Sequence, residues 1–381
     1  MLDPSVFKAY DVRGIHPTQI DEDGAYRIGR AFVEHFGLRR IAVGRDMRVS
    51  APTMTAAVID GAADGGADVL DLGMIGTEML YYAVGELALE GGIVVTASHN
   101  PKQYSGMKIV RAGALPVGGD SGLDDVRRAA DAGFGEVARR GEVTPTDIWD
   151  GFVRKVLSFV DAESLRPLRI VVDAANGMAG TMLPPLLERL PQLDVVRCFF
   201  EPDGAFPNHE PNPLLPENRE FIVERTRAAD ADLGVAFDGD ADRCFFVDDT
   251  GEFVPGDFAT ALFAQGVLEK EPGATVIYDV RASWAVPNVV DQHGGTPLVN
   301  RVGHAFIKHR MREVDAVFGG EVSGHYYFRE FSKADSGVVP FLLMLELLSK
   351  DGATLSELLR PYRSHYFLTG EINTPVPGSR S

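Results

Sequence analysis

Three short apolar runs that each end in an aspartate constrain the fold of this 381-residue chain more than any other feature. They lie at residues 41–46, 170–173 and 276–279. The segments of helical character that follow them lie at residues 50–65, 180–190 and 283–292. A second apolar run comes after each helical segment, which completes a strand–helix–strand unit. This alternation, in a chain long enough for two or three domains, predicts three consecutive layered α/β domains with mixed sheets.

A third apolar run in each unit ends in a polar motif. The three motifs are Thr96 to Pro101, Asp238 to Arg243 and Gly320 to His325. In open α/β sheets, ligands gather at the carboxyl ends of strands. Three domains that face one another would bring these motifs together, so the sequence predicts a single active-site cleft between the domains.

The second motif holds three carboxylates, Asp238, Asp240 and Asp242, directly after the apolar run 233–237. Three alternating carboxylates repel one another unless a cation is present, and Mg²⁺ prefers oxygen ligands. An EF-hand is excluded, because its sixth and twelfth positions would be Arg243 and Asp249 rather than Gly and Glu. A solvated loop is the alternative, but the repulsion favours a magnesium site.

The first motif offers Ser98 on a turn that closes the apolar run 93–95. A polar turn without chemistry is the alternative, because the pair Asn100-Pro101 favours turn initiation. The Gly-x-Ser-x-Gly elbow of serine hydrolases is absent. A serine beside a magnesium site suggests phosphoryl transfer through a phosphoserine.

At this point the chain resembles the α-D-phosphohexomutase family, in its phosphomannomutase/phosphoglucomutase branch. The resemblance rests on the serine and aspartate motifs and on two further segments, Tyr10 to Gly14 and Gly320 to His325, which are similar to the family's arginine motif and sugar-binding loop. It implies a double transfer. Phosphorylated Ser98 gives its group to a hexose 1-phosphate, the hexose 1,6-bisphosphate turns end for end, and the other phosphate returns to Ser98. Hexose 1,6-bisphosphate is then an activator as well as an intermediate.

The resemblance also implies roles for individual residues. Ser98 carries the phosphate and joins the three aspartates as a metal ligand. Arg13, Lys108 and Arg243 stabilise the transferring group, and His325 or His304 moves the proton of the sugar hydroxyl. The residues expected to bind the substrate are Tyr10, His99, Arg281, Glu321, Ser323 and His325.

Charge and composition limit the partners. The net charge of −18 argues against nucleic acid or an anionic membrane, because both need basic patches. A phosphosugar substrate therefore requires locally concentrated positive charge, for which the candidates are Arg13, Lys108, Arg243, Arg281 and Lys308. Two cysteines form no disulfide framework, and neither a signal peptide nor a membrane-spanning run is evident. A cytoplasmic enzyme, monomeric or homodimeric, is expected.

The expected domains are residues 1–147 with the serine loop, 148–251 with the metal loop and 252–365 with the sugar loop. Residues 366–373 resemble the opening strand of the family's fourth, phosphate-binding domain, and residues 366–381 are expected to be a remnant of that domain. Loss of that domain's phosphate clamp would impair turnover strongly, which leaves a sugar-phosphate-binding phosphoprotein as an alternative function.

Mannose is the expected hexose, with glucose second. Phosphoglucosamine mutase is an alternative, although that enzyme tends to carry glutamine where Val322 stands. A metal-dependent phosphatase that uses Ser98 as nucleophile and water as acceptor is a further alternative.

Overall fold

A computed structural model describes residues 1–368, which form three α/β domains in chain order. The first domain contains a seven-stranded sheet with strand order β1-β5-β4-β2-β3-β7 and with β6 beside β5. Its elements are β1 (Val12–Ile15), α1 (Glu22–Phe36), β2 (Arg40–Arg45), α2 (Ala51–Asp64), β3 (Asp68–Met74), α3 (Thr77–Glu86), β4 (Gly91–Val95), β5 (Tyr104–Arg111), β6 (Leu115–Pro116), α4 (Leu123–Ala132) and β7 (Val143–Pro145).

The second domain has a four-stranded sheet with strand order β11-β10-β8-β9. Its elements are α5 (Trp149–Leu157), β8 (Leu168–Asp173), α6 (Ala179–Leu187), β9 (Leu193–Cys198), α7 (Pro216–Ala228), β10 (Leu233–Phe237) and β11 (Cys244–Val247). Helix α6 ends three residues before the predicted end of its helical segment. It contains Pro184 and Pro185, whose missing N–H groups weaken the hydrogen bonding of its last turns.

The third domain has a five-stranded sheet with strand order β13-β12-β14-β15-β16. Its elements are α8 (Gly256–Lys270), β12 (Thr275–Asp279), α9 (Ala285–Gln292), β13 (Thr296–Asn300), α10 (His304–Val314), β14 (Phe318–Gly320), β15 (Tyr326–Phe328), β16 (Ala334–Ser336), α11 (Val338–Asp351) and α12 (Leu355–His365). No helix within residues 1–368 combines the length and the apolar character needed to cross a membrane.

The three sheets share one arrangement, which confirms the predicted repeat. In each, a central strand pairs in parallel with two neighbours, as β2 does with β3 and β4, β8 with β9 and β10, and β12 with β13 and β14. The third strand of each unit then turns back into an antiparallel strand. The serine, metal and sugar motifs occupy these three equivalent turns, so the predicted fold class is confirmed.

The domains are held in fixed relation by a shared apolar core. One cluster of buried side chains runs through all three domains and includes Tyr81 of the first, Phe237 of the second and Phe341 of the third. A second cluster fills the other face of the first sheet, under α1 and α2. Helix α1 shows why such elements form, since Asp21 caps its start by accepting from Gly24 N at 2.9 Å and left-handed Gly37 ends it. The predicted opening strand at 366–373 lies mostly outside the described residues, and 366–368 have no regular structure.

Candidate active site

The three turns meet at one cavity of about 430 Å³ between the domains. It brings together eleven of the residues predicted from the sequence: Tyr10, Arg13, Ser98, His99, Lys108, Arg243, Arg281, His304, Glu321, Ser323 and His325. The three predicted metal ligands, Asp238, Asp240 and Asp242, are buried directly behind Ser98. The predicted single cleft is therefore present.

Ser98 lies where the serine turn touches the metal turn. Its Oγ donates to Asp238 Oδ2 at 2.8 Å and lies 3.2 Å from His99 Nδ1. The backbone of Ser98 is left-handed, with φ +48°, a conformation that costs a residue with a Cβ on the order of 1 kcal/mol. Thr96 Oγ1 accepts from Ser98 N at 2.9 Å and helps to hold this geometry.

Arg48 is the main support of the serine loop, and the sequence reasoning missed it. Its guanidinium is 1% exposed and pairs with Asp46 at 3.3 Å. It donates to four carbonyl oxygens of the loop, those of Ser98 (2.8 Å), Asn100 (2.6 Å), Pro101 (2.9 Å) and Tyr104 (3.2 Å). Burial lowers the pKa of Arg48, although Asp46 opposes this. An arginine three residues after an apolar strand was the available signal.

The aspartate cluster has the form of a cation site. Oxygen atoms of Asp238, Asp240 and Asp242 lie within 4.8 Å of one another, and all three side chains are buried. Within residues 1–368, Asp240 Oδ1 and Asp242 Oδ1 receive no hydrogen bond, which is rare for buried carboxylate oxygens. Burial and then the Asp240 charge raise the pKa of Asp238 to about 7. Unpartnered oxygens beside a serine hydroxyl fit a hard divalent cation.

The metal turn can approach Ser98 so closely because Gly239 has no side chain. A Cβ at this position would lie 2.4 Å from the Ser98 carbonyl oxygen, well inside contact distance. The next residue but one, Ala241, is left-handed with φ +61°. Two turns from different domains are thus pressed together at the point where the serine meets the carboxylates.

Lys108 is a buried residue of an inner strand. Its Nζ donates to Asp240 Oδ2 at 2.7 Å and to Asp242 Oδ2. Burial opposes its charge, but Asp240 and Asp242 outweigh burial and raise the pKa of Lys108. Burial likewise opposes ionisation of Asp242, and Lys108 and His325 hold the pKa of Asp242 well below its usual range. Lys108 therefore remains a cation at the meeting point of the first two domains.

Arg13 and Arg243 bring further positive charge to the cavity. Arg13 donates to Ala97 O at 3.0 Å and to Asn100 Oδ1, so it is tied to the serine loop. Arg243 Nε lies 3.5 Å from Asp238 Oδ2 and donates to His325 Nε2 at 3.1 Å. With Lys8 and Arg281 also in the lining, the cavity concentrates positive charge in a chain of net charge −18, as predicted.

His325 is poised between its two protonation states. Its Nδ1 lies 3.1 Å from Ser323 Oγ and 3.3 Å from Glu321 Oε2, and its Nε2 lies 3.6 Å from Asp242 Oδ1. The hydrogen bond from Arg243 requires a neutral ring. Burial and Arg243 lower the pKa of His325, but the carboxylates of Asp242 and Glu321 outweigh them and raise it to about 8.

His304 and Glu321 form the wall of the cavity beside His325. Burial and Lys308 hold the pKa of His304 well below its usual range, and neither ring nitrogen has a hydrogen-bond partner within residues 1–368. The Glu321 carboxylate accepts from Gly303 N at 2.9 Å and from Tyr327 Oη at 2.5 Å. Burial opposes its charge, yet His325 and Tyr327 lower the pKa of Glu321 to about 2.

Lys308 was predicted to supply positive charge to the substrate, and the structure contradicts this. Its side chain is fully buried on the inward face of α10, 2.6 Å from Asp335 Oδ1 and 3.9 Å from the centre of the Tyr81 ring. It does not line the cavity. The Lys308 ammonium group is therefore buried at the interface between the first and third domains and does not contact the substrate cavity.

Comparison with known proteins gives the family. The phosphoglucomutase/phosphomannomutase α/β/α domains I, II and III match residues 4–132, 150–251 and 255–365. The chain belongs to the phosphoglucomutase/phosphomannomutase family. This confirms the resemblance seen in the four motifs. The domain boundaries predicted from the sequence, at 147/148, 251/252 and 365/366, stay predictions.

Individual members of the phosphoglucomutase/phosphomannomutase family cover nearly all of the chain. A phosphomannomutase of Salmonella montevideo is 45% identical over 375 residues, which are 97% of this chain and 82% of that protein. The phosphohexose mutases of Xanthomonas campestris pv. campestris are 43% identical over 377 residues, 98% of this chain and 84% of the relative. A crystal structure of a phosphoglucomutase/phosphomannomutase family protein from Burkholderia thailandensis superposes with a TM-score of 0.87 at 36% identity, over 95% of this chain and 80% of that one. The chain is thus a phosphohexose mutase, an isomerase that works by phosphotransfer.

Proposed function

We propose that the chain interconverts mannose 1-phosphate and mannose 6-phosphate, accepts glucose phosphates as a second substrate, and works through a phosphoserine at Ser98. The observation that carries the proposal is the meeting of Ser98 Oγ with Asp238, at 2.8 Å, at the wall of a cavity lined by basic residues and His325. The choice of mannose is supported by the phosphomannomutase names of the relatives and by Val322 in the sugar turn.

Mg²⁺ is the proposed metal. Ser98 and the three aspartates would hold it, with Asp240 Oδ1 and Asp242 Oδ1 as the oxygens that receive no hydrogen bond within residues 1–368. When bound, the cation polarises a phosphoryl group and offsets its negative charge. The residues present fit this role, since every proposed ligand atom is an oxygen.

Side chains of the protein carry the phosphoryl group and the proton during the reaction. In the first transfer, the free hydroxyl of the hexose phosphate forms a new oxygen–phosphorus bond while the bond between Ser98 Oγ and phosphorus breaks. Ser98 Oγ keeps the bonding electron pair as an oxyanion, whose charge the basic side chains of the cavity offset until it attacks phosphorus again in the second transfer. The proton of that hydroxyl passes to His325, whose pKa of about 8 suits both uptake and return. His304 is the second candidate for this proton, because it lines the cavity and neither of its ring nitrogens has a hydrogen-bond partner within residues 1–368.

Basic side chains stabilise the negative charge of the transferring phosphoryl group. Arg13, Lys108 and Arg243 line the cavity around Ser98, and preorganised charges of this kind supply most of what phosphoryl transfer needs. Tyr10, Arg281, Glu321 and Ser323 are the proposed contacts of the sugar and its distal phosphate. In the second transfer, the other phosphate of a hexose 1,6-bisphosphate moves to Ser98, and the proton returns from the histidine to the freed sugar oxygen.

A coupled mutase assay tests the proposal. Mannose 1-phosphate and glucose 1-phosphate are supplied separately with Mg²⁺ and a trace of hexose 1,6-bisphosphate, and the incorporation of phosphate into the protein is followed by mass. Ser98→Ala is expected to abolish both turnover and incorporation. Ser105→Ala is the matched control, because Ser105 is equally buried, on the next strand, and its hydroxyl has no partner within residues 1–368.

The same assay separates the alternatives. Faster turnover of glucosamine phosphate than of mannose phosphate would replace the proposed substrate. Sustained release of inorganic phosphate would indicate a phosphatase, and binding without conversion would indicate a sugar-phosphate-binding protein. We further propose a cytoplasmic protein, monomeric or homodimeric, for which gel filtration with light scattering is the test.

A further inference from the structure

Thr77 connects the first domain to a proposed metal ligand of the second. It is the first residue of α3 and is fully buried. Its Oγ1 donates to Asp240 Oδ2 at 2.5 Å, and its backbone N–H donates to Asp240 O at 3.1 Å. Both contacts cross the boundary between the two domains, and Thr77 does not line the substrate cavity.

The two oxygens of Asp240 differ sharply in their surroundings. Oδ2 accepts from Thr77, from Lys108 at 2.7 Å and from Thr96 at 3.3 Å. Oδ1 is buried and accepts from nothing within residues 1–368. Every donor to this side chain belongs to the first domain. A carboxylate saturated on one oxygen is locked in orientation, so its bare oxygen points in a fixed direction.

The approach of α3 to the metal turn depends on the residue before Thr77. A Cβ at Gly76 would lie 2.1 Å from Met182 Sδ and 3.2 Å from Asp240 O. The lack of a side chain at Gly76 thus lets the start of α3 pack closely against Met182 and the metal turn of the second domain. The contact between Thr77 and Asp240 is therefore built into the packing of the two domains.

We propose that Thr77 is a positioning residue for the divalent cation: its hydroxyl holds Asp240 Oδ2 so that Oδ1 faces the metal. This rests on the metal site of the proposed function. Removal of a group that orients a metal ligand typically weakens metal binding about 10- to 100-fold. Lys108 shares the same carboxylate oxygen but also lines the cavity, so a change at Lys108 would alter charge and substrate contacts together. Thr77 is neutral and isolates the orienting effect.

The test is Mn²⁺ binding to metal-free protein, measured by electron paramagnetic resonance without any sugar. Thr77→Val keeps the shape but removes the donor, and we expect its Kd for Mn²⁺ to rise about tenfold or more. Thr77→Ser keeps the donor and is expected to bind within about threefold of the wild type. Mn²⁺ should also raise the Tm of the protein, because it binds the folded state. At one fixed Mn²⁺ concentration, this rise should be the same in Thr77→Ser as in the wild type and smaller in Thr77→Val, because the Kd of Thr77→Val is larger.

Each other result overturns a defined part of the reasoning. Wild-type protein that binds no Mn²⁺ would refute the metal site itself. Wild-type binding that Thr77→Val leaves unchanged would refute only the role of Thr77. Equal weakening by Thr77→Ser, which keeps the hydroxyl, and by Thr77→Val would refute the hydroxyl as the orienting group and assign the effect to packing around the start of α3. If Thr77→Val does not fold, Thr77→Ala removes the hydroxyl without placing a methyl group against Asp240, and the same expectation applies.

Discussion

Replacing Lys308 with methionine is expected to destabilise the protein by about 3–5 kcal/mol, the usual cost of breaking a buried ion pair by removing one partner. Lys308 and Asp335 are both fully buried, with Nζ and Oδ1 2.6 Å apart. Without the ammonium group, the Asp335 carboxylate would be left charged and buried without its ion-pair partner, or would have to take up a proton. For a carboxyl group in water, protonation at pH 7 costs about 4 kcal/mol, so both routes give the same magnitude.

Thermal unfolding followed by circular dichroism measures the effect. If the third domain, residues 255–365, unfolds as one cooperative unit, each kcal/mol lost lowers its Tm by about 3–5 °C. The Tm of Lys308→Met should therefore fall by about 10–20 °C. Adding Asp335→Asn should recover about half of the loss, because only an unpaired polar group then remains, at about 1–3 kcal/mol. Lys350→Met, at an exposed pair with Glu269, is the surface control and should change stability by less than about 0.5 kcal/mol. A Tm for Lys308→Met within 2–3 °C of the wild type, or a double variant no more stable than the single one, would refute the reasoning.

Three further predictions concern the loops around the site. Arg48→Lys keeps the charge but loses the planar guanidinium that donates to the carbonyl oxygens of the serine loop, so turnover in the coupled assay should fall about tenfold or more. Unchanged turnover would show that the serine loop keeps its conformation without these hydrogen bonds. Burial lowers the pKa of His209, but Asp173 outweighs burial and raises this pKa above its usual value. The ion pair of His209 with Asp173 therefore stabilises the fold fully below a pH of about 6.5, and this stabilisation is lost as the pH rises through the pKa of His209 in the folded protein. His209→Gln should therefore cost about 1 kcal/mol at pH 6 and less at pH 9, measured as Tm; an equal cost at both pH values would contradict this. Gly239→Ala should push the metal turn away from Ser98 at about 1–3 kcal/mol and lower turnover, whereas wild-type turnover would mean that the contact is not required.

The fold and the centre of the site could be predicted from the sequence because both depend on local patterns. Apolar runs that end in polar motifs mark the three third strands, and Ser98 and the aspartates lie at their ends in the structure. The residues that were missed act through contacts between distant parts of the chain. Arg48 reaches the serine loop about 50 positions further on within the first domain, and Thr77 reaches Asp240 of the second domain across 163 positions.

Lys308 shows the opposite error. A lysine near the site-forming segments of a sugar-phosphate enzyme resembles a substrate contact, and its sequence neighbours do not show which way it points. The structure turns it inward toward Asp335 and Tyr81, both brought there by other elements. Burial of a charge is decided by tertiary packing, so it could not be predicted from a local pattern.

The division of the site among three domains has a consequence for protein synthesis. Domains generally fold one by one as the chain emerges, at about 5–20 residues per second. Asp238 follows Ser98 by 140 positions, so the serine loop leaves the ribosome roughly 7–30 s before its partner. During that interval Lys108 and Thr77 lack the Asp240 carboxylate, to which both donate in the folded protein. A nascent first domain therefore exposes Lys108 and the face around Thr77 to solvent until the second domain has folded against them.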